Sequence, residues 1–213
     1  MKRWMMIGLL LSLSSASLYA QESDKLHLSG SLQSDMLLAQ KDSATGAEAT
    51  GSHFRTNTYL DLRLSNRYFE AGARLEYMPH PLPGYEHDFK GWGVPYAYLK
   101  GRYKNAELTL GSFYEQFGSG FILRSYEERS LGIDNSLQGA RLNYLPCAGV
   151  AVKLLTGRQR RYWHHNKSWM TGADVEWNME ESFKSLQQHN TYIMLGASYL
   201  NKYERDEVVM VDP

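Results

Sequence analysis

From Leu26 onward apolar and polar residues alternate with a period of two, the mark of extended strands with one apolar and one polar face. The run 68–78 shows it most clearly. Phe69, Ala71, Ala73, Leu75 and Tyr77 fall on one side, and Glu70, Gly72, Arg74 and Glu76 on the other. Leu60, Leu62 and Leu64 likewise alternate with Tyr59, Asp61 and Arg63. The same parity opposes Ala97, Leu99 and Tyr103 to Lys100 and Arg102, and Leu108 and Leu110 to Glu107 and Thr109. It returns in Ala140, Leu142 and Tyr144 against Arg141 and Asn143, in Val150, Val152 and Leu154 against Lys153, and in Ala173, Val175 and Trp177 against Asp174 and Glu176. With the runs 26–36 and 193–199, the pattern predicts about nine strands.

The connections carry a second regularity. Short turns at 65–67, 104–105 and 146–149 alternate strictly with long connections at 37–53, 79–95, 114–136 and 158–170. A sandwich has no reason to gather its long loops at one end, whereas an outer-membrane barrel does, with short periplasmic turns and long outside loops. Aromatic side chains on the apolar parity add a third sign. Phe69, Tyr103, Tyr144 and Trp177 are expected at the turn ends of their strands, Tyr77 and Tyr199 at the loop ends, as two interfacial belts require. The predicted fold is all-β, an antiparallel up-and-down transmembrane β-barrel. One short-side connection, 178–190, is longer and spaces Met179, Phe183 and Leu186 like a helix, so a brief helix is expected there.

Composition sharpens this. Lys and Arg number 23, as do Asp and Glu, so the charge balance gives no reason to expect a nucleic-acid partner. The apolar fraction is 43% and the mean hydropathy −0.48, and the apolar stretch Trp4 to Leu11 is far short of the roughly 20 residues of a spanning helix. A membrane role would have to be built from strands. Lys2 and Arg3, an apolar run from Trp4 to Leu13 and a small-residue stretch ending at Ala20 have the layout of a secretory signal peptide, predicting residues 1–20 as a leader and an exported protein. Its removal would leave 21 basic against 23 acidic residues. The single Cys147 allows no internal disulfide and sits in a turn-like Leu-Pro-Cys-Ala-Gly context.

Candidate chemistry is sparse. The polar parity would line a lumen with Asp61, Arg63, Glu70, Arg74, Glu76, Lys100, Arg102 and Arg141, joined by Glu107, Lys153, Asp174 and Glu176. Interleaved signs favour cross-strand ion pairs over a charge-selective ring. The segment 111–136 has too many glycines and charges for a strand and too many aromatics for a disordered loop. Gly118 and Gly120 would let it turn inward, presenting Tyr114, Glu115, Phe117, Arg124, Tyr126, Glu127, Glu128 and Arg129 as an inward or capping loop; an ordered outside loop is the equal alternative. Arg158, Arg160 and Arg161 with Tyr162, Trp163, His164 and His165 read as an outside loop, either a basic rim over an anionic leaflet or a grip on lipid phosphates or a sugar acid. No phosphate loop, nucleophile elbow or zinc-helix motif occurs, so no catalytic, cofactor or metal residues are assigned and an enzyme is not expected.

The string Gly111-Ser-Phe-Tyr-Glu-Gln-Phe-Gly-Ser-Gly, with Arg124-Ser-Tyr-Glu-Glu-Arg, Leu131-Gly, Asn135-Ser and Gly139-Ala-Arg-Leu, resembles a family of uncharacterised outer-membrane β-barrel proteins of Bacteroidetes-type bacteria, classed as a domain of unknown function. The resemblance covers most of the chain after the leader and implies an exported barrel without naming a substrate. Similar proteins look longer, so residues 21–213 are expected to form the N-terminal portion of a larger barrel. The expected role is that of an outer-membrane channel, transport or assembly component. Its partners would be outer-membrane lipid and either lipopolysaccharide or another envelope protein. The alternative is an exported glycan-binding sheet protein using Tyr85, Trp92, Tyr162 and Trp163 as stacking platforms, and a weaker one is a lipid-modifying enzyme working through Glu127.

Overall fold

Nine long strands run as an antiparallel meander in a computed structural model that describes residues 25–40, 44 and 53–204. The expected leader, most of the first long connection and the polar tail lie outside the described residues. In chain order the strands begin with β1 (His27–Leu38), β2 (Phe54–Ser65), β3 (Phe69–His80), β4 (Gly91–Tyr103) and β5 (Ala106–Phe113). A two-residue pair, β6 (Glu127–Glu128) and β7 (Ile133–Asp134), interrupts the meander before β8 (Leu137–Cys147) and β9 (Val150–Arg161). The short β10 (His164–His165) folds back on β9, and β11 (Trp169–Asn178) and β12 (Met194–Tyr203) complete the sheet. Helices α1 (Met179–Ser182) and α2 (Lys184–Gln188) occupy the connection where helical spacing was read.

Register follows the alternation. Leu32 faces Leu60, Leu62 faces Ala73, Ala71 faces Leu99, and Leu142 faces both Leu108 and Leu154, so apolar residues continue across one side of the sheet. That side is bare: Leu28 is 76% exposed, Leu32 63% and Leu99 52%. The opposite side is charged and closed, with Glu76 and Asp174 both 1% exposed. A water-soluble sheet distributes its residues the other way round. Aromatic residues flank the bare side, with Tyr77 beside Trp92 and Trp169 beside Tyr203 at the long-loop end, and Phe69, Tyr103, Tyr144 and Trp177 toward the short turns. Tyr199, expected at a strand end, lies opposite Ala173 in mid-strand instead.

Two expected connections need correction, and the closure expected of the whole barrel does not occur within this set of strands. Among the described residues the sheet is open, its order running from β1 at one edge to β12 at the other. Nine meandering strands leave the first and last pointing the same way, so they do not offer each other the antiparallel pairing of a bacterial barrel. The connection expected at 79–95 shrinks because β4 begins at Gly91; register shifts by a bulge between Arg74 and Glu76, and the Trp163 indole covers Gly91 and Gly93, which had read as loop glycines. The connection expected at 158–170 shrinks too, since β9 runs to Arg161 and turns through Tyr162, at φ 56°, into β10.

Two apolar clusters sit on the charged side. Phe113, Phe117, Leu123, Leu137, Leu155 and Met170 form one; Tyr59, Met78 and Phe89, backed by Tyr85 and Tyr162, form the other. Phe117 and Leu123 belong to the 111–136 segment, so part of the core of this sheet is made by the segment lying across it.

Candidate functional site

The segment after β5 leaves the sheet at Phe113 and returns to it at Leu137, and between these points it covers the charged face. Its first turn is a small hairpin in which Gln116 bridges Arg124 and the Phe117 amide donates to the Leu123 carbonyl at 3.1 Å. Gly118 (φ 49°) and Gly120 (φ 85°) take the left-handed conformations that such a reversal needs. Phe117 is then pressed against β11, where its ring lies so close to Gly172 that any Cβ there would collide with it.

Two charge networks fasten the segment. In the first, Arg74 on β3 reaches Asp61 at 2.7 Å and Glu127 at 2.8 Å, while Arg129 donates to Glu127 at 2.7 Å, Asp61 at 3.2 Å and Gln33 at 2.8 Å. The Arg129 guanidinium also stacks 4.2 Å from the Tyr59 ring centre. Burial alone would disfavour its charge, but Glu127 outweighs that effect and holds its pKa above the ordinary arginine value. Next to this, Arg160 pairs with Glu76 at 2.7 Å and with Asp134 of β7 at 2.5 Å. In the second network Arg141 reaches Glu107 at 3.1 Å and Glu115 at 3.3 Å, and Lys153 reaches Glu115 at 3.5 Å and Asp174 at 3.9 Å. Glu70 gathers Arg102, Lys100 and the Tyr98 hydroxyl near the short turns.

Each residue named from the sequence has a definite place. Asp61, Glu70, Arg74, Glu76, Lys100, Arg102 and Arg141 all sit in these networks, while Arg63 is largely exposed and only 4.0 Å from Glu70. Tyr114 stacks on Tyr96 at 5.2 Å; burial raises its pKa, and the Asp134 and Glu127 carboxylates add to the effect. The Tyr126 amide donates to Asn135 at 2.6 Å. Arg124 and Glu128 face outward instead of pairing with the sheet: Arg124 lies 4.9 Å over Tyr126, and Glu128 accepts from the Ser130 hydroxyl at 2.6 Å. The Ser130 hydrogen bonds lower the Glu128 pKa.

Sequence reasoning missed Asp134 and misplaced Arg160. Parity with Lys153 and Leu155 would turn Gln159 inward, but Arg160 is the buried neighbour, and nothing in a basic run marks one arginine as different. The four aromatics proposed as sugar platforms divide between surfaces. Tyr85 and Tyr162 meet Phe89 edge-on at 5.6 and 5.0 Å, Trp163 covers Gly91 and Gly93, and Trp92 stands with Tyr77 on the apolar side. Glu127, considered as an acid, is clamped between two arginines.

The arrangement is therefore an ionic strap: a charged strand face and a covering segment of complementary charge. Over residues 1–212 the sequence matches DUF6029, a family of unknown function. The chain belongs to this family. No curated protein and no solved structure matches it. The strap deepens the family resemblance only in geometry, since the motif strings around Gly111 and Arg124 turn out to be the hairpin and the ion-pair ladder that cover the sheet.

Proposed function

We propose that this DUF6029 protein is an outer-membrane β-barrel component of the Bacteroidetes-type envelope, with its nine long strands as lipid-spanning wall and the 111–136 segment as an inward strap that narrows or caps the interior. It acts there as a channel, transport or assembly component. The observation that carries this reading is the inverted sheet: apolar side chains exposed along the strands on one side, ion pairs closed on the other. Burying that apolar side in hydrocarbon stabilises each half-exposed leucine by roughly 1 kcal/mol, about half the value for a fully exposed one. Strands of 8 to 13 residues bracket the length of about 9–11 that a tilted transmembrane strand needs. Aromatic residues at the strand ends suit the two interfaces, Tyr77, Trp92, Trp169 and Tyr203 at the long-loop end and Phe69, Tyr103, Tyr144 and Trp177 toward the short turns.

In such a setting the free edges of β1 and β12 must pair with other strands, from elsewhere in the chain or from a second chain, because unpaired backbone groups are not tolerated in lipid. Expression with the leader, followed by membrane fractionation and gel migration with and without boiling, tests the proposal. The expected result is recovery in the outer-membrane fraction with heat-modifiable migration. Recovery as a soluble periplasmic protein whose migration is indifferent to boiling overturns it.

A further inference from the structure

The apolar side of the sheet is not uniform. Over β8, β9 and β11 the cross-strand row Ala140, Thr156 and Thr171 carries small side chains, while the next row toward the short turns carries Leu108, Leu142, Leu154 and, beyond Ala173, Tyr199. The step between the rows opens a groove of about 370 Å³. That is within the roughly 300–1,000 Å³ of clefts that hold small ligands. The groove is apolar along its length and ends in polar groups on one side only. There the Trp169 indole donates to Thr156 at 2.7 Å, Thr156 and Thr171 share a hydrogen bond at 3.1 Å, and the Arg158 guanidinium stands 5.9 Å over the Trp169 ring.

Arg158 is exposed two residues beyond Thr156 on the same strand face, and among the described residues no carboxylate pairs with it. It differs in this from Arg74, Arg129, Arg141 and Arg160, each of which is engaged by acids on the charged side. A cation held over an indole at the mouth of an apolar groove fits a molecule with an anionic head and a hydrocarbon tail. From the groove's position on the bare side, with its polar end toward the long loops, we infer that it is a specific site for one membrane lipid with a phosphate-bearing head group, the phosphate at Arg158 and one acyl chain along Ala140 and Ala173. This inference rests on the membrane reading above and adds to it a single binding site in place of a uniform lipid coat.

The full chain is first reconstituted in phosphatidylcholine vesicles, and insertion is scored by heat-modifiable migration. It is then extracted in mild detergent and titrated with dipalmitoyl phosphatidic acid or with dipalmitoyl glycerol, with bound lipid counted by native mass spectrometry. The wild-type protein is expected to retain one phosphatidic acid in preference to the uncharged lipid. Arg158→Gln should weaken phosphatidic acid roughly tenfold, as loss of one charge-assisted contact implies, and leave the uncharged lipid unchanged. Ala140→Phe, which fills the groove, should weaken both lipids. Leu62→Phe, on the same side but on β2, should weaken neither. Insertion without a phosphate preference, or with equal retention in the Ala140 and Leu62 variants, overturns the site and leaves the membrane reading standing. Failure to insert overturns both.

Discussion

Arg160 and Glu76, 84 residues apart in the chain, face each other through paired hydrogen bonds of 3.0 and 2.7 Å, with side chains 1% and 2% exposed. The pair ties β9 to β3, strands that are not neighbours in the sheet, and Asp134 of the strap closes on the same guanidinium. Removing one member of such a buried pair strands the other charge. Arg160→Leu is therefore expected to destabilise the protein by about 3–5 kcal/mol, whereas Arg160→Met combined with Glu76→Leu and Asp134→Asn, which leaves no carboxylate stranded, should recover most of that loss. Denaturant midpoints of the two variants and the parent check this; a triple variant no more stable than the single one would refute it.

Arg129 plays a different part. It joins the strap to β1 through Gln33, to β2 through Asp61 and the Tyr59 ring, and to its own neighbour Glu127, and the Tyr85 hydroxyl donates to its backbone carbonyl. These contacts lie in the second half of the strap, after the apolar anchor made by Phe117 and Leu123. Arg129→Ala is expected to speed amide hydrogen exchange across 126–134 by about tenfold or more while 113–123 keeps its protection. Exchange that rises equally in both halves would mean that the strap is a single cooperative unit.

The strands were legible because parity is a local property. A leucine at every second position speaks for itself, and the register Leu32 to Leu60 to Leu75 follows once the turns are short. The strap was half legible. Its composition marked it, and Glu127 and Arg129 meet the sheet, but which of four neighbouring charges would do so depended on the β6–β7 reversal, which turns Glu128 to solvent. Arg160 and Asp134 were illegible for a stronger reason. Their partners come from strands far away in sequence, and Arg160 is buried against the parity of its own strand, which would turn Gln159 inward. Pattern also says nothing of closure, because the edges of a sheet read like its centre.

His165 gives a pH dependence with a definite sign. Burial lowers its pKa below the ordinary 6.5, and Arg158 and Arg160 push the same way. The unfolded loop therefore takes up the proton first as pH falls, so stability of the β9–β10 hairpin drops as pH passes downward through about 6.5 and levels off below the folded value. Titration of the His165 ring by NMR should give a midpoint under 6.5, and His165→Gln should remove the corresponding loss of hairpin protection. A midpoint above 6.5 would reverse the sign and reject the account.

Two glycines serve the strap for opposite reasons, and alanine substitutions separate them. Gly118 has φ 49° and open space around it, so an added Cβ meets nothing and the cost is that of the left-handed backbone, about 1 kcal/mol. Gly139 lies opposite both Gly111 and Gly157 in the sheet, and its backbone angle is ordinary. A Cβ there would overlap the Thr156 carbonyl oxygen, a backbone atom that cannot move without parting β8 from β9. Gly139→Ala is expected to cost at least about 3 kcal/mol, at the upper end of overpacking effects, and to disturb both the strap's return at Leu137 and the Ala140 row on the other side of the sheet. Unfolding midpoints of the two variants are the measurement. Near-equal losses would show that strand spacing at Gly139 is set by something other than the missing side chain.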